Sequence, residues 1–192
     1  QDLFRAANAW LGRMRGGVAM SAIAACAGFG SVCGSSLATA STMGQVALPE
    51  LRRYRYRPSL ATGTLAAGGV LGILIPPSVV LVIYAIIVEA SIATMFIAAL
   101  VPGLIAVATF IATIAIYVRL RPDSGPPGAR VDRAELVAAT RAVAPVAAIF
   151  AIVIGGIYFG LFNPTPAAAI GVVLVLLLGI HRRRIGLAEM RQ

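Results

Sequence analysis

LGILIPPSVV, residues 71–80, puts two consecutive prolines into the middle of a charge-free run that extends from Pro58 to Val88. Pro76 and Pro77 each lack an N–H donor, and their rings oppose a continuous helix. The residue before a proline is pushed out of the α region as well. These residues predict an apolar helix that unwinds at Ile75-Pro76-Pro77-Ser78 and divides into Ser59–Leu74 and Val79–Val88. A kinked packing helix is the plainer alternative. A second charge-free run, Gly16 to Pro49, is interrupted by Cys33-Gly34-Ser35-Ser36. Unwound backbone is costly in lipid unless it lines a cavity or is buried in protein. Two such breaks close together therefore point to a transport site for an ion or small solute.

The rest of the chain fits a membrane setting. Hydrophobic residues make up 59% and charged residues 12%, against roughly 25% charged in a soluble domain. Several stretches reach the roughly 20 apolar residues needed to cross a hydrocarbon core. The net charge is +9 and every basic residue is arginine. The arginines cluster between apolar segments without aromatic interleaving, which reads as the positive-inside rule rather than nucleic-acid binding. Cys26 and Cys33 on one helix would have Cα atoms roughly 10 Å apart, too far for a disulfide. Residues 1–15 are polar and basic and do not read as a secretory signal. Gln1 in place of a start methionine suggests an excised piece of a longer chain.

Charge sets the expected topology. Residues 1–16 read as an amphipathic lead-in helix, with Leu3, Phe4, Ala7, Trp10, Leu11 and Met14 at helical spacing. Residues 17–57 have arginines on both flanks: Arg13 and Arg15 before, Arg52, Arg53, Arg55 and Arg57 after. A re-entrant hairpin enters and leaves on one side, so both flanks can be cytoplasmic. Its arms are expected at about 18–32 and 37–46, with a single tilted helix carrying a Gly/Ser packing face as the alternative. Residues 58–118 are expected to hold the broken transmembrane helix and a following helix, interrupted near Pro102-Gly103. Residues 119–141 read as a cytoplasmic loop and short helix over 133–141. Residues 142–192 read as a transmembrane helix pair, turning at Asn163-Pro164-Thr165-Pro166, with a basic cytoplasmic tail at Arg182-Arg183-Arg184.

No Asp, Glu, Lys, Arg or His lies inside the proposed membrane segments. Such residues ordinarily mark proton relays, and an acid–base pair or a base-activated nucleophile would be needed for catalysis. The expectation is neither a proton relay in this segment nor an enzyme. Hydroxyls and freed backbone carbonyls remain, and these oxygens suit Na⁺. Half-helix C-termini can coordinate the cation, while half-helix N-termini attract anionic groups. The candidate ion and substrate residues are Gly34, Ser35, Ser36, Thr39, Gly72, Ile75, Pro76, Pro77 and Ser78, with Ser35, Ser36, Gly72 and Ile75 as candidate Na⁺ ligands.

Three runs carry a family resemblance. GFGSVCGSSLATASTMGQVALPEL (28–51), ATGTLAAGGVLGILIPPSVVLVIYAIIVEASIATMFIAALVPG (61–103) and GGIYFGLFNPTPAAAIGVV (155–173) together resemble the large membrane subunit of TRAP transporters, the tripartite ATP-independent periplasmic uptake systems. The resemblance implies an all-α integral membrane protein of the bacterial inner membrane with an elevator-type mechanism. One re-entrant hairpin, one broken transmembrane helix and flanking helices would form one of two inverted repeats. It implies Na⁺-coupled uptake of an organic acid such as a dicarboxylate or sialic acid, with no cofactor beyond the coupling ion. It further implies a small TRAP membrane subunit and a periplasmic substrate-binding protein as partners. The second repeat and the helices before Gln1 are expected in the missing parts, so this chain is not expected to transport alone. Cys33 stands where the family usually has serine, and Asn163 and Pro166 depart from its TPTEA-like run. Competing readings are an elevator-type Na⁺/organic-anion symporter without a binding protein and a non-transporting membrane scaffold.

Overall fold

The computed structural model describes residues 2–128, 132–161 and 163–181, and among these all regular structure is helical. Eight α-helices follow in order: α1 (Asp2–Leu11), α2 (Gly17–Cys33), α3 (Ser36–Arg53), α4 (Pro58–Leu74), α5 (Val79–Ile87), α6 (Ile92–Leu120), α7 (Arg133–Tyr158) and α8 (Pro164–His181). The chain forms two compact units, Gln1–Val143 and Ala144–Gln192. The arginine cluster Arg182-Arg183-Arg184 lies outside the described residues.

In the first unit α2 is the centre, packed against α1, α3, α4 and α6. Its buried residues include Val18, Met20, Ile23 and Cys26, joined by Leu51 of α3, Leu71 of α4 and Val118 of α6. Glycines set the helix register. A Cβ on Gly68 would meet Cys26, and one on Gly30 would meet the Gly72 backbone, so α2 and α4 run in parallel. A Cβ on Gly69 would meet Ala40 and Ser36, and one on Gly72 would meet Thr39 and Ser35, so α3 runs antiparallel to α4. The α2–α3 segment is therefore a helical hairpin with α4 laid along it. Close approach through small residues is how apolar helices associate where burial from water supplies little drive.

Proline placement separates helices that bend from one that stops. Pro49, Pro102 and Pro145 lie inside α3, α6 and α7 without ending them. One proline removes one hydrogen bond, and a helix continues where its surroundings support the flanks. The break expected near Pro102-Gly103 is absent, because α6 runs unbroken for 29 residues. The 133–141 helix and the following span likewise form one helix, α7, so the boundary expected at Arg141 falls inside it. The tandem Pro76-Pro77 removes two donors in succession and does stop a helix. The axes of α4 and α5 differ by 44° across it. Ile75 is extended at φ −93°, ψ 123°, the backbone that a following proline imposes.

Helices α6 and α7 are each long and apolar enough to cross a membrane, and α4 with α5 can supply a third span. At a rise of 1.5 Å per residue, α6 is about 44 Å long. Polar junctions gather at one end of the first unit. The Arg57 N–H donates to the Ser124 carbonyl, and the Gly16 N–H donates to that of Gly125. The Val18 N–H donates to the buried Tyr56 hydroxyl at 3.3 Å. Burial raises the Tyr56 phenol to about 12, against the opposing pull of the Val18 and Ala19 N–H groups. The amphipathic lead-in is α1, which buries Phe4. Its Trp10 is exposed and donates to Thr140 Oγ1 at 3.2 Å.

In the second unit Gly171 of α8 lies beside Val153 of α7. Gly160, at φ 69°, follows the end of α7 in the left-handed region that glycine tolerates.

Candidate functional site

Four helix ends converge where the two sequence breaks meet. Helix α2 ends at Gly34, which is left-handed at φ 62° and returns its N–H to the Gly30 carbonyl at 2.7 Å. This is the glycine termination expected of a helix C-terminus. Ser35 then caps α3, its hydroxyl accepting from the Ala38 N–H at 3.4 Å. The Ser35 carbonyl accepts both the Thr39 N–H at 3.0 Å and the Thr39 hydroxyl at 2.7 Å. Thr39 is fully buried.

On the other side α4 ends as the Ile75 N–H reaches the Leu71 carbonyl at 3.0 Å. Pro76 and Pro77 have no N–H to offer the Gly72 and Ile73 carbonyls four residues earlier. The chain restarts at Ser78, the N-cap of α5. Ser78 behaves unlike Ser35. It makes no capping bond, is 2% exposed, and its Oγ is buried without a partner. Buried hydroxyls are normally hydrogen-bonded, and an orphan costs about 1–3 kcal/mol.

The structure brings most of the predicted residues together. A Cβ on Gly34 would sit 3.1 Å from the Pro77 carbonyl oxygen and 3.4 Å from the Ser78 Cα, so the hairpin tip touches the break. A Cβ on Gly72 would sit 2.6 Å from Thr39 Oγ1 and 2.9 Å from the Ser35 carbonyl oxygen. Ile75 and Pro76 are buried, and Gly103 of α6 packs against Ile75. Ser36 is placed farther back, its carbonyl beside Gly69. The sequence reading did not single out Gly30, Gly69 or Gly103 as the residues that permit this approach. The four-residue spacings Gly30–Gly34 and Gly68–Gly72 were the available signal.

Electrostatically the cluster is two-signed. The C-terminal ends of α2 and α4 bring unsatisfied carbonyls and partial negative charge. The N-terminal ends of α3 and α5 bring N–H groups and partial positive charge. Such a cluster can hold a small hard cation with oxygens on one side and an anionic group on the other. Among the described residues no group of three or more His, Cys, Asp or Glu could hold a metal ion.

Fold and site together define an all-helical, multi-pass membrane protein with an interrupted helix apposed to a helical hairpin. The profile of the family described as "Tripartite ATP-independent periplasmic transporter, DctM component" matches residues 1–192. The chain is 40% identical over 167 residues to the C4-dicarboxylate TRAP transporter large permease protein DctM of Pseudomonas aeruginosa, covering 87% of this chain and 39% of that protein. It is 37% identical to the protein of the same name from Vibrio cholerae, over 89% of this chain and 37% of that one. It is 36% identical to the ectoine/5-hydroxyectoine TRAP transporter large permease protein UehC of Ruegeria pomeroyi, over 93% of this chain and 41% of that one. The chain belongs to the DctM family of TRAP transporter large permease components, and it is a protein of the bacterial inner membrane. It spans about two fifths of the length of these curated relatives.

Proposed function

We propose that this chain forms one half of the ion and substrate site in the large permease of a TRAP transporter, and that the whole permease couples organic-acid uptake to Na⁺ entry. The reading rests on the apposition of Gly34 with Pro77 and Ser78 beside an orphaned Ser78 hydroxyl. Na⁺ would sit among the carbonyls at the ends of α2 and α4 with hydroxyl oxygen from Ser78, and the substrate carboxylate would face the N-termini of α3 and α5. Ser35, Ser36, Gly72 and Ile75 remain candidate Na⁺ ligands. Ser78 joins them because its oxygen is buried and uncommitted.

A C4-dicarboxylate is the first substrate to test, since two of the three relatives described above carry that name. The ectoine relative makes a zwitterion the second. A dianion entering against 100 mV, inside negative, costs about 4.6 kcal/mol, and each Na⁺ returns about 2.3. Two Na⁺ thus cancel the electrical cost and leave their concentration gradient to drive accumulation, and a third adds a net electrical drive. The small membrane subunit and a periplasmic binding protein complete the proposed system, with elevator movement of this hairpin and broken helix carrying the site across.

The experiment is uptake by the full-length permease with its small subunit and binding protein in proteoliposomes, with a thermal-unfolding titration in Na⁺. Ser78→Ala should leave the melting temperature in K⁺ unchanged or raised. It should also reduce the Na⁺-induced rise, which follows RT ln(1 + [Na⁺]/Kd). Ser35→Ala with Ser36→Ala should abolish Na⁺-dependent uptake. Unchanged Na⁺ dependence in both variants would overturn the site. Uptake at full rate without the binding protein would favour the symporter that needs none.

A further inference from the structure

A second site lies away from the helix breaks. Ile23 of α2, residues 59–67 of α4 and residues 110–117 of α6 enclose a cleft of about 280 Å³. Its walls are apolar apart from a few hydroxyls. That volume lies just below the range of ligand pockets, about 300–1,000 Å³, and suits part of a single chain better than a bulky solute. Gly63 opens onto it, and a Cβ there would meet nothing within 4 Å.

Thr64 is the unusual wall residue. Thr62, Thr109, Thr113 and Thr140 each turn the hydroxyl back to the carbonyl four residues earlier, at 2.8–2.9 Å. Thr64 does not. It is 5% exposed, its Oγ1 has no partner, and it lines the cleft. A buried hydroxyl that forgoes the available local bond keeps an unused donor.

Charge marks the mouth. Tyr117 lines the cleft, and the Arg121 guanidinium lies over its ring at 5.8 Å. Arg57 precedes the first turn of α4 and its N–H reaches the Ser124 carbonyl, so both arginines stand at the same end. Asp123 is the carboxylate of that loop. Among the described residues the one ion pair is Arg53–Glu50, which leaves Arg57, Arg119 and Arg121 without a carboxylate partner. Thr64 is seven residues from Arg57, about 10 Å along the helix, and an arginine side chain can reach back or outward over part of that.

We infer that the cleft binds one glycerophospholipid. An acyl chain lies between α4 and α6, an ester carbonyl accepts from the Thr64 hydroxyl, and the phosphate meets Arg57 and Arg121. The proposal commits to a lipid because one mostly apolar cleft carries a buried, unpartnered hydroxyl in its inner half and two arginines at its outer end, which matches a molecule with an apolar tail, a polar linkage and an anionic head.

Native mass spectrometry of the full-length permease, purified from vesicles containing phosphatidylglycerol, tests it. One retained phosphatidylglycerol per permease is expected. Thr64→Val, which keeps shape and removes the donor, should lower its occupancy at least fivefold. Gly63→Leu fills open space and should displace the lipid while the protein keeps its melting temperature. Arg57→Gln with Arg121→Gln should lower the retained amount and flatten its dependence on salt. Equal retention in wild type, Thr64→Val and Gly63→Leu overturns the proposal. So does cross-linking that places a polypeptide helix in the cleft through a photoreactive residue at position 63.

Discussion

At the scale of single residues, glycine 72 decides whether the two breaks can meet. Its missing side chain leaves room for Thr39 Oγ1 and the Ser35 carbonyl, and the latter is backbone that cannot swing aside. Gly72→Ala should therefore separate hairpin and broken helix. Overpacking of this kind costs about 1–3 kcal/mol, and uptake by the whole permease should fall more than tenfold. Gly63→Ala is the control. It meets no neighbour and should be neutral or stabilising by about 0.5–1 kcal/mol. Comparable melting temperatures for the two variants would contradict the packing described. The cysteines give a second reading of depth. Cys26 is fully buried and Cys33 partly exposed at the hairpin tip, both as free thiols. A methanethiosulfonate reagent should label Cys33 and leave Cys26 unmodified. Na⁺ should slow the Cys33 reaction if the tip closes around the ion, and labelling of Cys26 first would reverse this picture.

At the scale of elements, the tandem proline creates the bend and one phenol secures the hairpin root. Replacing Pro76 and Pro77 by alanine restores two N–H donors to the Gly72 and Ile73 carbonyls. Spin labels on exposed Val70 and Ile83 should report a straighter and more variable α4–α5 angle than the 44° of the native chain. An unchanged distance distribution would move the cause of the bend to α6. At the root, Tyr56→Phe leaves the Val18 N–H without its acceptor and should cost about 1 kcal/mol. The same phenol gives a pH signature. The unfolded group ionises near 10, while burial raises the folded group to about 12. The folded state thus holds the proton across this interval. Stability from Tyr56 is fully present below pH 10 and falls as pH rises through 12. Melting curves should converge for wild type and Tyr56→Phe as pH goes from 9 to 11.5. Parallel curves would remove Tyr56 from that role.

At the scale of the whole molecule, much of the architecture was legible in the sequence for one reason. A chain with few charges must satisfy its backbone internally, so its apolar runs become helices and its interruptions become conspicuous. Composition and charge clusters alone pointed to a helical membrane protein. Pro76-Pro77 declared a stop, because two absent N–H groups and a constrained preceding residue are local facts. Cys33-Gly34-Ser35-Ser36 marked only an interruption, and the arginines on both flanks made a hairpin the expectation over a single tilted helix. Single prolines were less legible. Pro102 suggested a break that α6 does not have, since whether a helix tolerates one lost bond depends on what supports its flanks. What only the tertiary structure decided was which atoms meet. It set Gly34 against Pro77 and Ser78, put Gly72 inside the Thr39–Ser35 turn, and left Ser78 and Thr64 buried without partners while neighbouring hydroxyls found theirs. Those outcomes turn on contacts between residues tens of positions apart, and pattern along the chain does not contain such distances.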